Sequence, residues 1–293
     1  MSTIVITGCS SGFGMQAALA FARNGDKVYA TMRNPDKSER LLAAAAKEGL
    51  KLHIKQLDVN ESQTFKAVFE EIIEESKTID VLVNNAGILR AGAFEDLSET
   101  MVREVIETNL LAPLFLSKAV LPYMRKQNSG YIIMISSLSG IAGLPGDVAY
   151  TAGKFGLEGA TEALRHEVDR WGIKMALVEA GMYATDIMST SLPEESLLPD
   201  YYPLHSVYRK LIETNLQAMR QRMPEAFEPS IVGDLSVKIA NSDGSQLRWP
   251  ADEVATMVLE KMFAHTDTER DAFLRDVSGS DWWSEGKEKP GDE

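Results

Sequence analysis

The opening of the chain constrains its fold more than any other stretch. Thr3-Ile-Val-Ile-Thr7 is a short apolar, β-branched run that reads as a strand. It enters Gly8-Cys-Ser-Ser-Gly12-Phe-Gly14 directly, and an amphipathic stretch from Met15 to Arg23 follows. Strand, glycine turn and helix in that order make a cradle for a phosphate, against the simpler alternative of a plain tight turn. Glycine accepts positive φ and lets a pyrophosphate approach the backbone. The start of the helix adds free N–H groups and the positive end of its dipole.

The same alternation continues. Lys27 to Arg33, Lys51 to Val59, Ile79 to Val83, Tyr131 to Ser137 and Lys174 to Glu179 read as strands. Between them lie helical patterns from Asp36 to Lys47, Glu61 to Ser76, Ser98 to Lys126 and Ala149 to Trp171. Strands alternating with helices predict an α/β fold, a doubly wound parallel sheet of the Rossmann-like kind, as a single domain over 1–293. From 186 to 241 the pattern loosens around Pro193, Pro199, Pro203, Pro224 and Pro229, with one helical stretch from Ser206 to Arg222. This extended segment reads as a substrate lid, with an oligomer arm as the alternative. A helix from Asp252 to Phe263 and a last strand over Ala272–Val277 complete the expectation. Residues 284–293 read as a disordered tail after Trp282-Trp283.

The chemistry concentrates in Tyr150-Thr-Ala-Gly-Lys154, with Ser137 upstream at the end of a buried strand. Tyr150 and Lys154 stand at i and i+4, one above the other on a helix face. A phenol has an ordinary pKa of about 10, and a neighbouring ammonium favours the phenolate, which makes the hydroxyl a usable proton donor or acceptor. Ser137 falls at the strand's C-terminal edge, where ligands bind in open α/β sheets. Ser136 is the alternative serine.

Together with the T-G-x-x-x-G-x-G spacing, Asn84-Asn85-Ala86-Gly87 and Asn109, this set resembles the classical short-chain dehydrogenase/reductase family over residues 3 to about 190. The resemblance implies hydride transfer between a nicotinamide cofactor and a carbonyl or alcohol. Ser137 would then hold the carbonyl oxygen, Tyr150 would move the proton, Lys154 would lower the tyrosine pKa and hold the ribose, and Asn109 would link the relay to solvent. Asn109 also has a purely structural reading, as a buried amide that must find partners. The resemblance places the cofactor against Gly8, Ser10, Ser11, Gly12, Phe13, Gly14, Asp58, Val59, Asn85, Ala86, Gly87, Tyr150, Lys154, Gly181 and Thr185. Met32 takes the position at which an acid would bind the ribose 2′-hydroxyl, and Arg33 follows it. An arginine suits a 2′-phosphate, so NADP(H) is expected rather than NAD(H). Where the family carries Pro-Gly after the sixth strand, this chain has Ala180-Gly181, and a looser turn is expected there.

Leu89, Leu138, Leu144, Tyr183 and Met188, with Ile141, Tyr201 and Tyr202, fall on loops at the expected ligand edge. They are mostly apolar, which predicts a small hydrophobic ketone or secondary alcohol. The Gly-Cys-Ser-Ser-Gly, Tyr-Ala-Thr-Met-Arg and Leu-Val-Glu-Ala-Gly stretches resemble the hydroxysteroid, retinol and carbonyl-reductase branch of the family. A net charge of −13 argues against nucleic acid or anionic membrane as partner. Four histidines without ligand spacing predict no metal. The single Cys9 fits a reducing compartment, and no apolar run approaches membrane-spanning length, so a cytoplasmic enzyme is expected. The helix predicted over Ser98–Lys126 has more apolar positions than one stripe needs. The excess is expected to meet a second subunit, as in the homodimers and homotetramers usual in the family. Two other functions use the same residues: an NADP(H) sensor without turnover, and an epimerase or dehydratase that retains its cofactor.

Overall fold

The structure, a computed structural model, describes residues 1–186 and 198–289. Among the described residues the strands are β1 (Thr3–Ile6), β2 (Lys27–Met32), β3 (His53–Gln56), β4 (Val81–Asn84), β5 (Gly130–Ile135), β6 (Ile173–Glu179) and β7 (Arg248–Pro250). They form one sheet in the order β3-β2-β1-β4-β5-β6-β7, parallel at every pairing. The order reverses between β1 and β4. The C-terminal ends of those two strands therefore open the crevice in which such sheets bind ligands.

Both faces of the sheet are covered, as a parallel sheet requires, and strand alternation sorts the side chains. Ile4 and Ile6 pack beneath α1 (Gly12–Arg23), while Val5 points to the opposite face with Phe69 of α3 (Phe65–Ser76). Full burial of each such side chain stabilises the fold by about 1.5–3 kcal/mol. After α2 (Glu39–Lys47) and α3, the helix expected over Ser98–Lys126 divides. It comprises α4 (Glu99–Ile106), a π turn at Glu107–Leu111 and α5 (Ala112–Gln127). Taken together this run is long and apolar enough to cross a membrane, contrary to the sequence reading. Leu116, Val120 and Met124 are instead buried among sheet residues such as Leu82 and Ile132. The catalytic-motif helix is α6 (Val148–Val168).

The segment 186–241 also divides. Its helix α7 (Arg209–Arg222) packs Ile212 and Leu216 against Ala91 and Ala93 of the loop after β4. Asn215 Nδ2 donates to the Pro145 carbonyl before α6 at 2.7 Å. The next helix, α8 (Ser230–Ala240), belongs to the sheet layer: Val232 and Ile239 are fully buried, and Gly233 rests on the backbone of Gln16 in α1.

The last strand is not at Ala272–Val277. Those residues lie in α10 (Asp267–Ser278), which starts at a capping box between Thr266 and Glu269 and stops at Gly279, where φ is +63°. The true seventh strand, Arg248–Pro250, is too short to show a period of two. α9 (Glu253–Ala264) and α10 close over the loop after β5, and α11 (Asp281–Ser284) follows. Trp282 is buried, edge-on to Trp283, which in turn meets Tyr208. Of the tail, 290–293 lie outside the described residues.

Candidate active site

One wall of the crevice is the glycine turn after β1. Gly8 and Gly12 adopt φ of +71° and +55°, conformations that side-chain-bearing residues rarely take. A Cβ on Gly14 would overlap the Gly8 carbonyl oxygen and the Asn85 amide. Asn85 pins the turn: its Nδ2 donates to the carbonyls of Thr7 (2.7 Å) and Gly8 (3.1 Å). The backbone N–H groups of Asn85 and Ala86 both donate to the Thr7 hydroxyl. α1 begins at Gly12, its cap Ser11 makes no side-chain bond to it, and its first turn carries no acid. A helix start left open in this way, at the switch point, fits a pyrophosphate.

Around it, Ser10, Ser11, Phe13 and Thr185 are half-buried, and the Thr185 methyl lies 3.6 Å from the position of a Gly12 Cβ. Asp58 and Val59 are half-buried beyond β3, and Asp58 accepts from the Asn60 N–H. Gly87 faces the Asn109 side chain. Met32 is buried and Arg33 exposed, and the Arg33 guanidinium makes no hydrogen bond or ion pair among the described residues. The turn at Ala180-Gly181 is not loose. Asp252 accepts from the Gly181 N–H (3.1 Å) while capping α9 through the Ala255 N–H (2.7 Å), and Leu138 N–H donates to the Ala180 carbonyl. Sequence reasoning finds Asp252 as a helix start, but its reach across to Gly181 has no local signal.

The second wall brings Ser137, Tyr150 and Lys154 together. Consecutive residues of an extended chain point to opposite sides, so Ser136 is buried beneath α6 and Ser137 turns toward Tyr150. Ser137 also accepts from the Ser139 N–H at 3.1 Å, which fixes the loop. Lys154 is buried; its Nζ donates to the Ile135 carbonyl at 2.6 Å and lies 5.7 Å from the centre of the Tyr150 ring. Burial pushes the Tyr150 phenol up to about 12, the Ser137 hydroxyl beside it pulls it back, and the charge of Asp147 raises it further. The expected lowering by Lys154 is not met in this arrangement, because burial dominates and the ammonium is turned to a backbone carbonyl. Burial also pushes Lys154 down to about 8, partly offset by Glu158.

Asp147, the N-cap residue of α6 three residues before Tyr150, is absent from the residues that the sequence singles out. It is buried, and desolvation pushes its carboxyl up to about 7. Asn109 sits within the π turn and clasps Ile88 at two points, accepting from its N–H (2.9 Å) and donating to its carbonyl (2.8 Å). Its structural reading is therefore satisfied by the protein itself. Gly153 packs against the Asn109 side chain, which seats α6 one residue before Lys154.

The predicted substrate residues scatter. Leu89 and Leu144 are half-buried on their loops, and Tyr201 donates to the Ala91 carbonyl with 37% of its surface exposed. Tyr202 is buried, donating to Asp96. Leu138 and Ile141 pack under α9 and α10 with Val258 and Met262. Tyr183 is wrong as a substrate contact: it is 2% exposed, locked between Phe13 and Phe227 in the core. Its single bridge to Phe227 draws it inward. Met188 lies outside the described residues.

The comparisons agree with this geometry. The family model described as short chain dehydrogenase matches residues 2–196. The chain is 39% identical over 250 residues to the uncharacterized oxidoreductase YusZ of Bacillus subtilis (strain 168), covering 84% of this chain and 87% of that protein. It is 36% identical over 219 residues to 17-beta-hydroxysteroid dehydrogenase type 1 of Homo sapiens, covering 72% of this chain and 66% of the relative. The solved structure of a short-chain dehydrogenase from Streptomyces avermitilis matches with a TM-score of 0.76 at 28% identity, over 98% of both chains. The chain belongs to the short-chain dehydrogenase/reductase family of oxidoreductases.

Proposed function

We propose that the protein reduces a hydrophobic ketone with NADPH, or oxidises the matching secondary alcohol. The observation that carries this reading is the convergence of Ser137, Tyr150 and Lys154 beside the glycine cradle. When bound, the nicotinamide cofactor supplies or accepts the hydride. Gly8, Gly12, Gly14 and the start of α1 would hold its pyrophosphate, and Arg33 its 2′-phosphate. Ser137 donates a hydrogen bond to the carbonyl oxygen, and Tyr150 gives that oxygen its proton. A phenolate left behind would be favoured by the ammonium of Lys154 once that group turns from the Ile135 carbonyl toward the ring, whose centre is 5.7 Å away. A substrate apolar in character suits Leu89 and Leu144, and the similarity to a hydroxysteroid dehydrogenase supports it. Residues 198–222 act as the lid, since they close over Ala91, Ala93 and Pro145.

Initial rates of NADPH and NADH oxidation over a panel of apolar ketones test the reading. Turnover with NADPH supports it, and silence across the panel in a protein that binds NADPH speaks against it. Arg33→Ala is expected to shrink the preference for NADPH over NADH by about 10- to 100-fold, the worth of hydrogen bonds to a charged group. An unaltered ratio would remove Arg33 from the site.

The proposal extends to a homodimer or homotetramer in the cytoplasm. Phe115 of α5 and Phe155 of α6 are each 41% exposed, apolar side chains on the face away from the sheet. Phe155→Glu is expected to convert the assembly to a 32.3 kDa monomer in sedimentation velocity. An unchanged sedimentation coefficient would place the contact elsewhere.

A further inference from the structure

Behind the catalytic lysine lies a buried cluster of charge. Tyr150, Lys154 and Glu158 stand at successive i+4 positions along one face of α6. Glu158 is 4% exposed and Glu179, at the end of β6, is 0% exposed. Arg248 of β7 reaches both, and the buried Lys154 stands one turn before Glu158. The Arg248 Nε lies 3.0 Å from Glu158 Oε2 and 4.0 Å from Glu179 Oε1, while its NH2 is shared with the exposed Glu162 at 3.0 Å. Among the described residues both Glu179 oxygens and Glu158 Oε1 have no hydrogen-bond partner, and neither has the Ser136 hydroxyl that faces Glu158. Glu179 is fully buried, its two oxygens make no hydrogen bond among the described residues and the Arg248 guanidinium stands 4.0 Å away, a position that is resolved by retaining a proton. Burial raises the Glu158 carboxyl, and the approach of Ser136, the short contact with Arg248 and the charge of Lys154 oppose that rise. Glu179 has the long contact only.

We infer that Glu158 is a positioning residue for Lys154, its carboxylate keeping the buried lysine charged, and that Glu179 carries the proton that makes this arrangement stable. The groups involved are Tyr150, Lys154, Glu158 and Glu162 on α6, Glu179 on β6, Arg248 on β7 and Ser136 after β5. Burial lowers the Lys154 ammonium, and Glu158, one turn along the same buried face, is the charge that opposes it. Protonated Glu179 spares Glu158 a second negative neighbour. The catalytic consequence rests on the proposed reductase reading, but the state of Lys154 does not.

The test is carbon NMR of protein labelled at lysine Cε, with Lys154 assigned by its loss in Lys154→Arg. In wild type the Lys154 resonance titrates with a midpoint well below that of exposed lysines. Glu158→Gln is expected to move that midpoint down by about one pH unit, and Glu158→Asp to restore part of it. A midpoint that does not move in Glu158→Gln overturns the inference. Should Glu158→Gln not fold, Glu179→Gln decides. A carboxyl raised by burial, as Glu179 is to about 8, destabilises the fold progressively as pH rises from its unfolded value toward its folded one. Glu179→Gln should therefore gain thermal stability over wild type across about pH 5 to 8, and leave the Lys154 midpoint in place. A Glu179→Gln protein destabilised equally at all pH values would show an ionised Glu179 and overturn the inference. If no ketone is reduced while these titrations behave as stated, the reductase reading fails and this one stands.

Discussion

Tyr150→Phe is expected to lower kcat/KM for ketone reduction by about 10²- to 10⁴-fold, the usual worth of a positioned proton donor. The fold should survive it. Only one oxygen is lost, from a half-buried ring. NADPH binding, measured by fluorescence titration, should persist, so that the loss falls on the chemical step. Activity within tenfold of wild type would give the proton to another group. The same geometry sets the pH dependence. At about 12, Tyr150 keeps its proton throughout the accessible range, so of Ser137, Tyr150 and Lys154 the group that changes charge on raising the pH is Lys154, at about 8. Reduction should fall as pH rises through that value, and Lys154→Arg, which cannot lose its charge in this range, should flatten the decline.

The parts of the site that were legible in the sequence are those in which local chemistry and local geometry coincide. Gly8, Gly12 and Gly14 punctuate a strand and a helix, and positive φ at the first two follows from residue type. Tyr150 and Lys154 share a face because the helix has its fixed repeat, and Ser137 over Ser136 follows from strand alternation. The misses share the opposite property. Tyr183 was placed by its position after β6, whereas its burial depends on Phe227, which lies far along the chain. Asp252 restrains Gly181 across a still longer gap, so the missing proline does not loosen the turn. β7 has three residues and no period to read. The pKa of Tyr150 depends on burial and on Asp147, and a sequence displays neither the depth of a cleft nor the direction of an ammonium.

The second large effect is expected at Gly14. This residue lies in the first turn of α1, where alanine would ordinarily improve helix stability by about 1 kcal/mol. Here an added methyl meets the Gly8 carbonyl and the Asn85 amide, and the first of these is backbone that cannot rotate away. Overpacking of this kind costs about 1–3 kcal/mol and exceeds the propensity gain. Relief requires either that α1 lift from the turn, which displaces the N–H groups at its start, or that the Asn85 amide leave the Thr7 and Gly8 carbonyls it holds. Gly14→Ala should therefore lower the denaturation midpoint modestly and weaken NADPH binding by about 100-fold or more, two lost charge-assisted contacts being enough for that. Gly159→Ala supplies the control. It lies in α6 with nothing within 4 Å of the added methyl, so it should stabilise by about 0.4–1 kcal/mol and retain cofactor affinity. If Gly14→Ala bound NADPH as wild type does, the close approach of α1 to the turn would be a packing feature alone, and the pyrophosphate would have to be held elsewhere in the crevice.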